Sequence, residues 1–461
     1  MSDEGLAQAR AKMTAEGVDP VAIEVFSHYY RLVESGETGM VPESTIEPLD
    51  MEALADVEIG EDTAGDAIRR TVVVKLNGGL GTSMGLDRAK SLLEVRDGLT
   101  FLDVIARQVL AVRERYDARL PLVFMNSFRT HDDTLAALAS YPDLPDAELP
   151  LDFLQNKEPK LLASDLTPVE WPDDPTLEWC PPGHGDLYTA LRGTGLLDAM
   201  IDAGFTQVFV SNSDNLGAVP DPRVAGWFAA SGAPFAIEAV RRTPSDRKGG
   251  HFARRLGDGR IVLRETAQTL PEDAEALGDL SRHRFTSTNN LWFDLHAMRD
   301  VLDDRDGILG LSMIKNVKTV DPADPASPEV VQIETAMGAA IEVFADARTI
   351  EVGRDRFVPV KTTNDLLVLR SDCYSLDDDA VLHQVPDAVP FVDLDKPYKL
   401  VGDFAKRFAD GVPSLRAASS LVVHGDWEFG AGVTVVGDAV VGEKGSSGRV
   451  EPDTCLGTRP G

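Results

Sequence analysis

The chain has 461 residues, of which 43% are hydrophobic and 26% charged. A chain of this size and composition buries a large core without disulfides or a structural metal. Seventy-six acids against 45 lysines and arginines leave a net charge of −31. That excludes a general nucleic-acid binder, which needs a broad basic face, and disfavours docking on anionic lipid. An anionic small substrate is not excluded, because a few placed cations can dominate a pocket.

The length suggests about two or three domains. Cys180, Cys373 and Cys455 are too scattered for a disulfide framework or a zinc site. Reduced thiols in a cytoplasmic protein are the expected state. The acidic N-terminus carries no apolar signal segment, and no apolar run reaches the ~18 residues of a membrane span.

Residues 1–70 read as helical and acidic, with Val21, Ile23, Phe26, Tyr29 and Tyr30 crowded into one helix. Residues 36–62 are turn-rich and are expected to lie across the surface. The β-branched run 71–76 reads as a strand buried on both faces, ended by Asn77-Gly78-Gly79. A helix is predicted to start at Thr100, which with Asp103 resembles a capping box. Strand 122–125, a helix after Thr130, strand 151–154, a helix over 185–203 and strand 208–211 follow. This alternation predicts an α/β fold with a largely parallel sheet, its ligand beyond the carboxyl ends of the strands. Residues 234–292 read as a β-rich insertion carrying a substrate wall. Residues 321–328 form a proline-rich loop, and strand and helix pieces follow at 330–334 and 341–344. In the tail, Val423, Phe429, Val435 and Val441 recur six apart, the period of a short β-helix. The Gly/Ser-rich stretch after Gly442 is expected to fray.

Three segments offer chemistry. Leu76-Asn77-Gly78-Gly79-Leu80-Gly81 follows a buried strand, where glycines let backbone N–H groups approach phosphates. It is neither a P-loop nor a good dinucleotide fingerprint. Lys90 is close enough in sequence to fold back over the same place. Pro181-Pro182-Gly183-His184 fixes a rigid loop before a helix, so His184 either meets a phosphate or sugar hydroxyl or caps the loop. Asn212-Ser213-Asp214-Asn215 ends a strand, as a seat for Mg²⁺ beside phosphates or as an Asx-turn. Asn289 and Glu334 suit sugar hydroxyls, Lys361 is a second phosphate cation, and Gln155 can pair with a nucleobase edge. No hydrolytic triad or zinc motif occurs. Glycine loop, lysines, one metal carboxylate and amides suit phosphoryl or nucleotidyl transfer.

Taken together, KLNGGLGTSMG, FMNSF, PPGHGD, SNSDNLGA, TNNLW, QIETAMGAAIE and PVKTTNDLL resemble the eukaryotic-like UTP–glucose-1-phosphate uridylyltransferase (UDP-glucose pyrophosphorylase) family. The blocks occur in the family's order over roughly residues 70–375.

The resemblance implies a Rossmann-like nucleotidyltransferase domain with a mostly parallel mixed sheet over 70–385. An N-terminal helical segment over 1–69 precedes it, and 386–461 holds a short left-handed β-helix. It implies Mg²⁺-dependent, in-line uridylyl transfer from UTP to glucose 1-phosphate without a covalent intermediate. Leu76, Asn77, Gly78 and Gly79 would cradle the nucleotide, with Gln155 and the Gly183 backbone reading uracil and Asn212 nearby. Asp214 would ligate the metal. His184, Asn289 and Glu334 would bind the sugar phosphate, and Lys90 and Lys361 would be the catalytic cations.

Two departures stand out. Gly-Pro-Lys-Ser is usual around the first lysine, whereas here Asp87-Arg88-Ala89-Lys90-Ser91 occurs, and the usual arginine after the uracil segment is Lys160. Another hexose 1-phosphate (glucosamine, N-acetylglucosamine or galactose) remains an alternative substrate, and a non-catalytic nucleotide-sugar-binding protein an alternative class. The tail offers an end or edge for homo-oligomer contacts, with a monomer or dimer expected before a large ring.

Overall fold

The computed structural model describes residues 2–247 and 249–457. At its centre is an eight-stranded sheet in the order Glu52–Ala53, Arg348–Glu351, Phe235–Arg241, Phe285–Asp294, Gln207–Asn212, Thr71–Asn77, Leu122–Asn126, Asp152–Leu154. Neighbours run parallel throughout, except that Phe285–Asp294 is antiparallel to both strands beside it. The fold is therefore mixed α/β with a parallel-rich sheet.

The central strands are apolar on both faces because both are covered. Val73 packs with Phe209 and Trp292 on one side, whereas Val72 and Val74 pack with Val208, Val210 and Leu291 on the other. This is the period-two alternation of a strand between two helical layers. Helix Phe101–Tyr116 covers the first face and starts at the expected capping box, in which the Thr100 hydroxyl accepts from the Asp103 N–H. The second face is covered by two short helices, Asp186–Gly193 and Leu196–Asp202. The sequence suggested one helix here. Gly195 breaks it, with a left-handed φ of +73°.

Long-range pairing changes two other expectations. Phe235–Arg241 belongs to the central sheet, and the inserted β structure is a hairpin, His251–Arg255 with Ile261–Arg264. Segment 36–62 does not simply cross the surface. Ile46–Pro48 joins that hairpin, Glu52–Ala53 is the edge strand of the central sheet, and Ile46, Leu49 and Leu54 are buried. Helices Ser2–Ala15 and Pro20–Glu34 pack on Leu161, Val331 and Ile333, bracing a second sheet that includes Glu329–Thr335.

The C-terminal segment is built from parallel strands. Phe391–Leu394, Ser414–Val423, Thr434–Val441 and Cys455–Gly457 form one sheet, and Asp426–Phe429 with Ser447–Val450 another. Val423 pairs with Val441 eighteen residues later, three hexads on. Val423, Phe429, Val435 and Val441 are all buried. The stretch after Gly442 does not simply fray, since it supplies two of these strands. Residues 458–461 lie outside the described residues. Leu400, in the same part of the chain, packs on the glycine-rich loop: a Cβ added to Gly85 would sit 3.1 Å from its Cδ2.

Candidate active site

The carboxyl ends of four adjacent strands open onto one cleft of about 300 Å³. Its lining includes Leu76, Asn77, Gly78, Gly79, Lys90, Gln155, Gly183, His184, Asn212 and Asp214, together with Ser91, Met125, Pro181 and Ser213. Ten of the thirteen residues singled out from the sequence thus meet in one place. Asn289, Glu334 and Lys361 are outside this lining.

The glycine loop leaves the sheet at Asn77. The Asn77 carboxamide donates to Asn126 Oδ1 (2.8 Å) and Thr134 Oγ1 (2.9 Å) and is buried, so the loop faces the cleft with backbone rather than with this side chain. Any Cβ on Gly78 would fall 2.6 Å from Gln155 Oε1, so the missing side chain keeps the loop and the amide close. Gly81 turns the chain in the left-handed region (φ +65°), and the Lys90 N–H donates to Gly79 O, folding Lys90 back over the loop.

Lys90 Nζ donates to Asp214 Oδ2 at 2.7 Å and to Val360 O. The pair is partly enclosed, with side-chain exposures of 17% and 22%. Asp214 Oδ1 is buried without a hydrogen-bond partner, and so are Ser213 Oγ and Ser91 Oγ. Unpaired buried oxygen is costly. An anionic oxygen and a hydroxyl from successive residues are hard ligands of the type that Mg²⁺ takes. The residues therefore fit a divalent ion at Asp214.

Gly183 has φ +79°, and a Cβ there would meet Thr335 O at 2.5 Å, so only glycine fits this turn. The same turn abuts Glu334, whose Cβ would be 3.1 Å from that added atom. Glu334 carries one loose partner, Lys318 at 3.5 Å. His184 Nδ1 accepts the Met337 N–H (3.0 Å), which fixes the ring proton on Nε2. Enclosure pushes its pKa down to about 4, so the ring is a neutral donor at pH 7. Behind the loop, Asp186 accepts from both the backbone and the side chain of Asn156, and burial raises its pKa to about 6. Burial beside Asp186 also holds Glu158 well above the usual carboxylate range.

Asn289 lies in strand Phe285–Asp294 at an irregularity in pairing, with φ +60°. Its neighbour Asn290 joins a buried group centred on Glu238, which accepts from Asn290 Nδ2 (3.0 Å), Trp292 Nε1 (2.9 Å) and Arg356 Nε (2.6 Å) and Nη2 (2.7 Å). Lys361 is exposed and follows Val360, the residue whose carbonyl holds Lys90. Lys160 is buried with Nζ on Val320 O at 2.9 Å and is not part of the cleft lining.

Sequence reasoning passed over Ser91, Ser213, Asn215 and Lys75. All four sit inside or beside the quoted motifs, Lys75 opening the first of them. Lys75 looked like part of an apolar strand. It is fully enclosed, donates to Ser211 Oγ and Ala218 O (both 2.8 Å), and burial lowers its pKa to about 7.

Comparison with known proteins bears on this arrangement. The profile of the family described as UTP–glucose-1-phosphate uridylyltransferase matches residues 23–436. A UTP–glucose-1-phosphate uridylyltransferase of Hordeum vulgare is 36% identical over 453 residues, 96% of this chain and 92% of that one. The Solanum tuberosum protein of the same name is 37% identical over 81% of this chain and 77% of its own. Among solved structures, a point mutant of UDP-glucose pyrophosphorylase from Leishmania major in complex with UDP-glucose superposes with a TM-score of 0.92 at 41% identity, covering 98% of both chains. A Trypanosoma brucei UDP-glucose phosphorylase gives 0.91 at 41% identity, with 98% of each chain covered.

Proposed function

The chain belongs to the UTP–glucose-1-phosphate uridylyltransferase family, and we infer that it transfers the uridylyl group of UTP to glucose 1-phosphate, forming UDP-glucose and pyrophosphate. The observation that carries this reading is the Lys90–Asp214 pair over a glycine-lined cleft, with one carboxylate oxygen buried and unpaired.

Two polyanions must meet in that cleft, and their repulsion is the main obstacle. The backbone of Leu76, Asn77, Gly78 and Gly79 cradles the nucleotide. Gln155 and the Gly183 backbone face the uracil edge, with Asn212 alongside. His184 Nε2–H donates to the sugar or its phosphate, and Asn289 and Glu334 hold hexose hydroxyls. Lys90 and Lys361 neutralise the phosphates as charge shifts toward the leaving pyrophosphate. Asp214, with Ser213 beside it, would hold Mg²⁺, which when bound supplies charge neutralisation for the polyphosphate. The acceptor phosphate is already ionised, so neither a general base nor a covalent intermediate is needed, and in-line attack on the α-phosphorus is sufficient. Holding both esters in line supplies the remaining acceleration.

The C-terminal strands read as a short left-handed β-helix, supported by the hexad and its eighteen-residue pairing offset. We divide the chain at 1–69, 70–385 and 386–461, the first part lending its edge strand to the second. Any self-association is assigned to the tail. Three free cysteines suit a cytoplasmic location, and among the described residues no helix is long and apolar enough to cross a membrane.

Pyrophosphate release, assayed with UTP and a panel of glucose, galactose, glucosamine and N-acetylglucosamine 1-phosphates, tests the reading. Glucose 1-phosphate should give the highest kcat/KM. A higher value with another sugar overturns the substrate. UDP-glucose binding without turnover overturns the enzyme.

A further inference from the structure

Asn215 follows Asp214 directly and is 1% exposed. Both polar atoms of its carboxamide are engaged. Oδ1 accepts the Val358 N–H at 2.8 Å, and Nδ2 donates to Arg356 O at 3.1 Å and to Asn290 Oδ1 at 3.4 Å. The backbone of the same residue forms an antiparallel bridge with Pro359, and the Val360 N–H donates to Asp214 O at 3.0 Å. Segments 214–215 and 356–360 are therefore zipped together, but Pro359 has no N–H to contribute. The side chain makes up the missing rungs. Without it the N–H of buried Val358 would lose its partner, at the full cost of an unsatisfied donor.

What the carboxamide grips is itself fixed. The Arg356 guanidinium makes two bonds to Glu238, a fully buried carboxylate, so Arg356 O is a stationary acceptor. On the other side the chain continues from Val360 into Lys361, whose N–H donates to Asp365 Oδ2 at 2.8 Å at the start of helix Thr363–Arg370. Lys361 is thus suspended between a capped helix and the clamp, one residue beyond the carbonyl that holds Lys90.

We propose that Asn215 is a positioning residue for uridylyl transfer: its carboxamide sets the spacing between the segment that carries the Asp214 carboxylate and the backbone from which Lys361 projects. The inference rests on the roles given above to Asp214 and Lys361 and adds the element that relates them. Misplacing a charged group by about 1 Å can cost on the order of 10²-fold in rate. Loss of the clamp should therefore appear in kcat, whereas Asn290, beside the hexose-binding Asn289, keeps its bond to Glu238 and holds that wall in place.

The test is a double-mutant cycle read by pyrophosphate release at saturating Mg²⁺, UTP and glucose 1-phosphate. Asn215→Ala should lower kcat by about 10- to 100-fold and leave both KM values within about 3-fold. Placed in a Lys361→Ala enzyme, the same substitution should cost several-fold less than in the wild type, because one of the groups that the clamp relates has gone. An equal loss in both backgrounds, or an unchanged kcat in Asn215→Ala, overturns the proposal. Lys361→Ala with near-normal kcat overturns the assignment of Lys361 itself, a result read from that variant alone. Should Asn215→Ala fail to fold by circular dichroism, Asn215→Ser, which leaves a small polar group, takes its place in the cycle, and an equal loss in both backgrounds or an unchanged kcat again overturns the proposal.

Discussion

Asp214 in the cleft and Glu43 under the hairpin His251–Arg264 both lie against cationic side chains, with opposite outcomes. Glu43 is used up. Its Oε1 forms an ion pair with Arg282 Nε (2.7 Å) and a hydrogen bond with His283 Nε2 (2.9 Å), and its Oε2 pairs with fully buried Arg264, which also grips Asp273 at 2.9 Å. Glu43, His251 and His283 bring ligand-type atoms within 4.8 Å of one another. The two rings stack at 3.7 Å beside this carboxylate. Asp214 meets one ammonium and keeps a second, buried oxygen unpaired. A saturated carboxylate ties segments of chain together, and one with spare capacity is where a cation can be recruited.

The strongest way to break this contrast is Asp214→Asn. Turnover should fall by about 10²-fold or more, as when other preorganised charge partners are removed, with little change in Tm. Pyrophosphate release and a thermal melt on the same preparation check both halves. Glu43→Gln should behave in the reverse sense. Breaking a largely buried ion pair costs about 3 kcal/mol, so urea unfolding should show a large loss of stability, whereas kcat per folded molecule stays near wild type. If Glu43→Gln were stable but inactive, the two carboxylates would have to exchange roles.

The smallest effect concerns pH. Burial, with His283 adjacent, pushes His251 down to about 3, and burial also lowers His283. An unfolded histidine titrates near ~6.5. Between that value and about 3 the unfolded chain binds protons that the folded chain refuses. The contribution is therefore complete above ~6.5 and is lost as pH falls. Asp186, raised to about 6, acts with the opposite sign, so the variant must be compared with wild type. The drop in Tm from pH 7 to pH 4 should be smaller in His251→Gln. An unchanged drop would remove the histidine pair from the account.

What the sequence made legible was local. The buried run before Asn77, the capping box at Thr100 and Asp103, and the hexad in the tail each declare themselves within a few residues. The cleft was legible because its blocks lie at the ends of such strands. Phe235–Arg241 and Glu52–Ala53 were not placed in the central sheet, because each is defined there by a partner far along the chain. The break at Gly195 was missed because one glycine inside an apolar pattern is tolerated in many helices. Asn215 stood in a recognised block, but its partners are residues 290, 356 and 358, and no spacing reports that.

Gly85 closes the glycine-rich turn with a left-handed φ of +77° and has Leu400 at its back. The glycine-rich turn is thus buttressed by the C-terminal part of the chain as well as by the sheet. A shift of helix Val401–Arg407, which begins at the next residue, would let that turn recede without altering any atom that faces a substrate. The tail and the glycine-rich turn thus meet through a single leucine side chain.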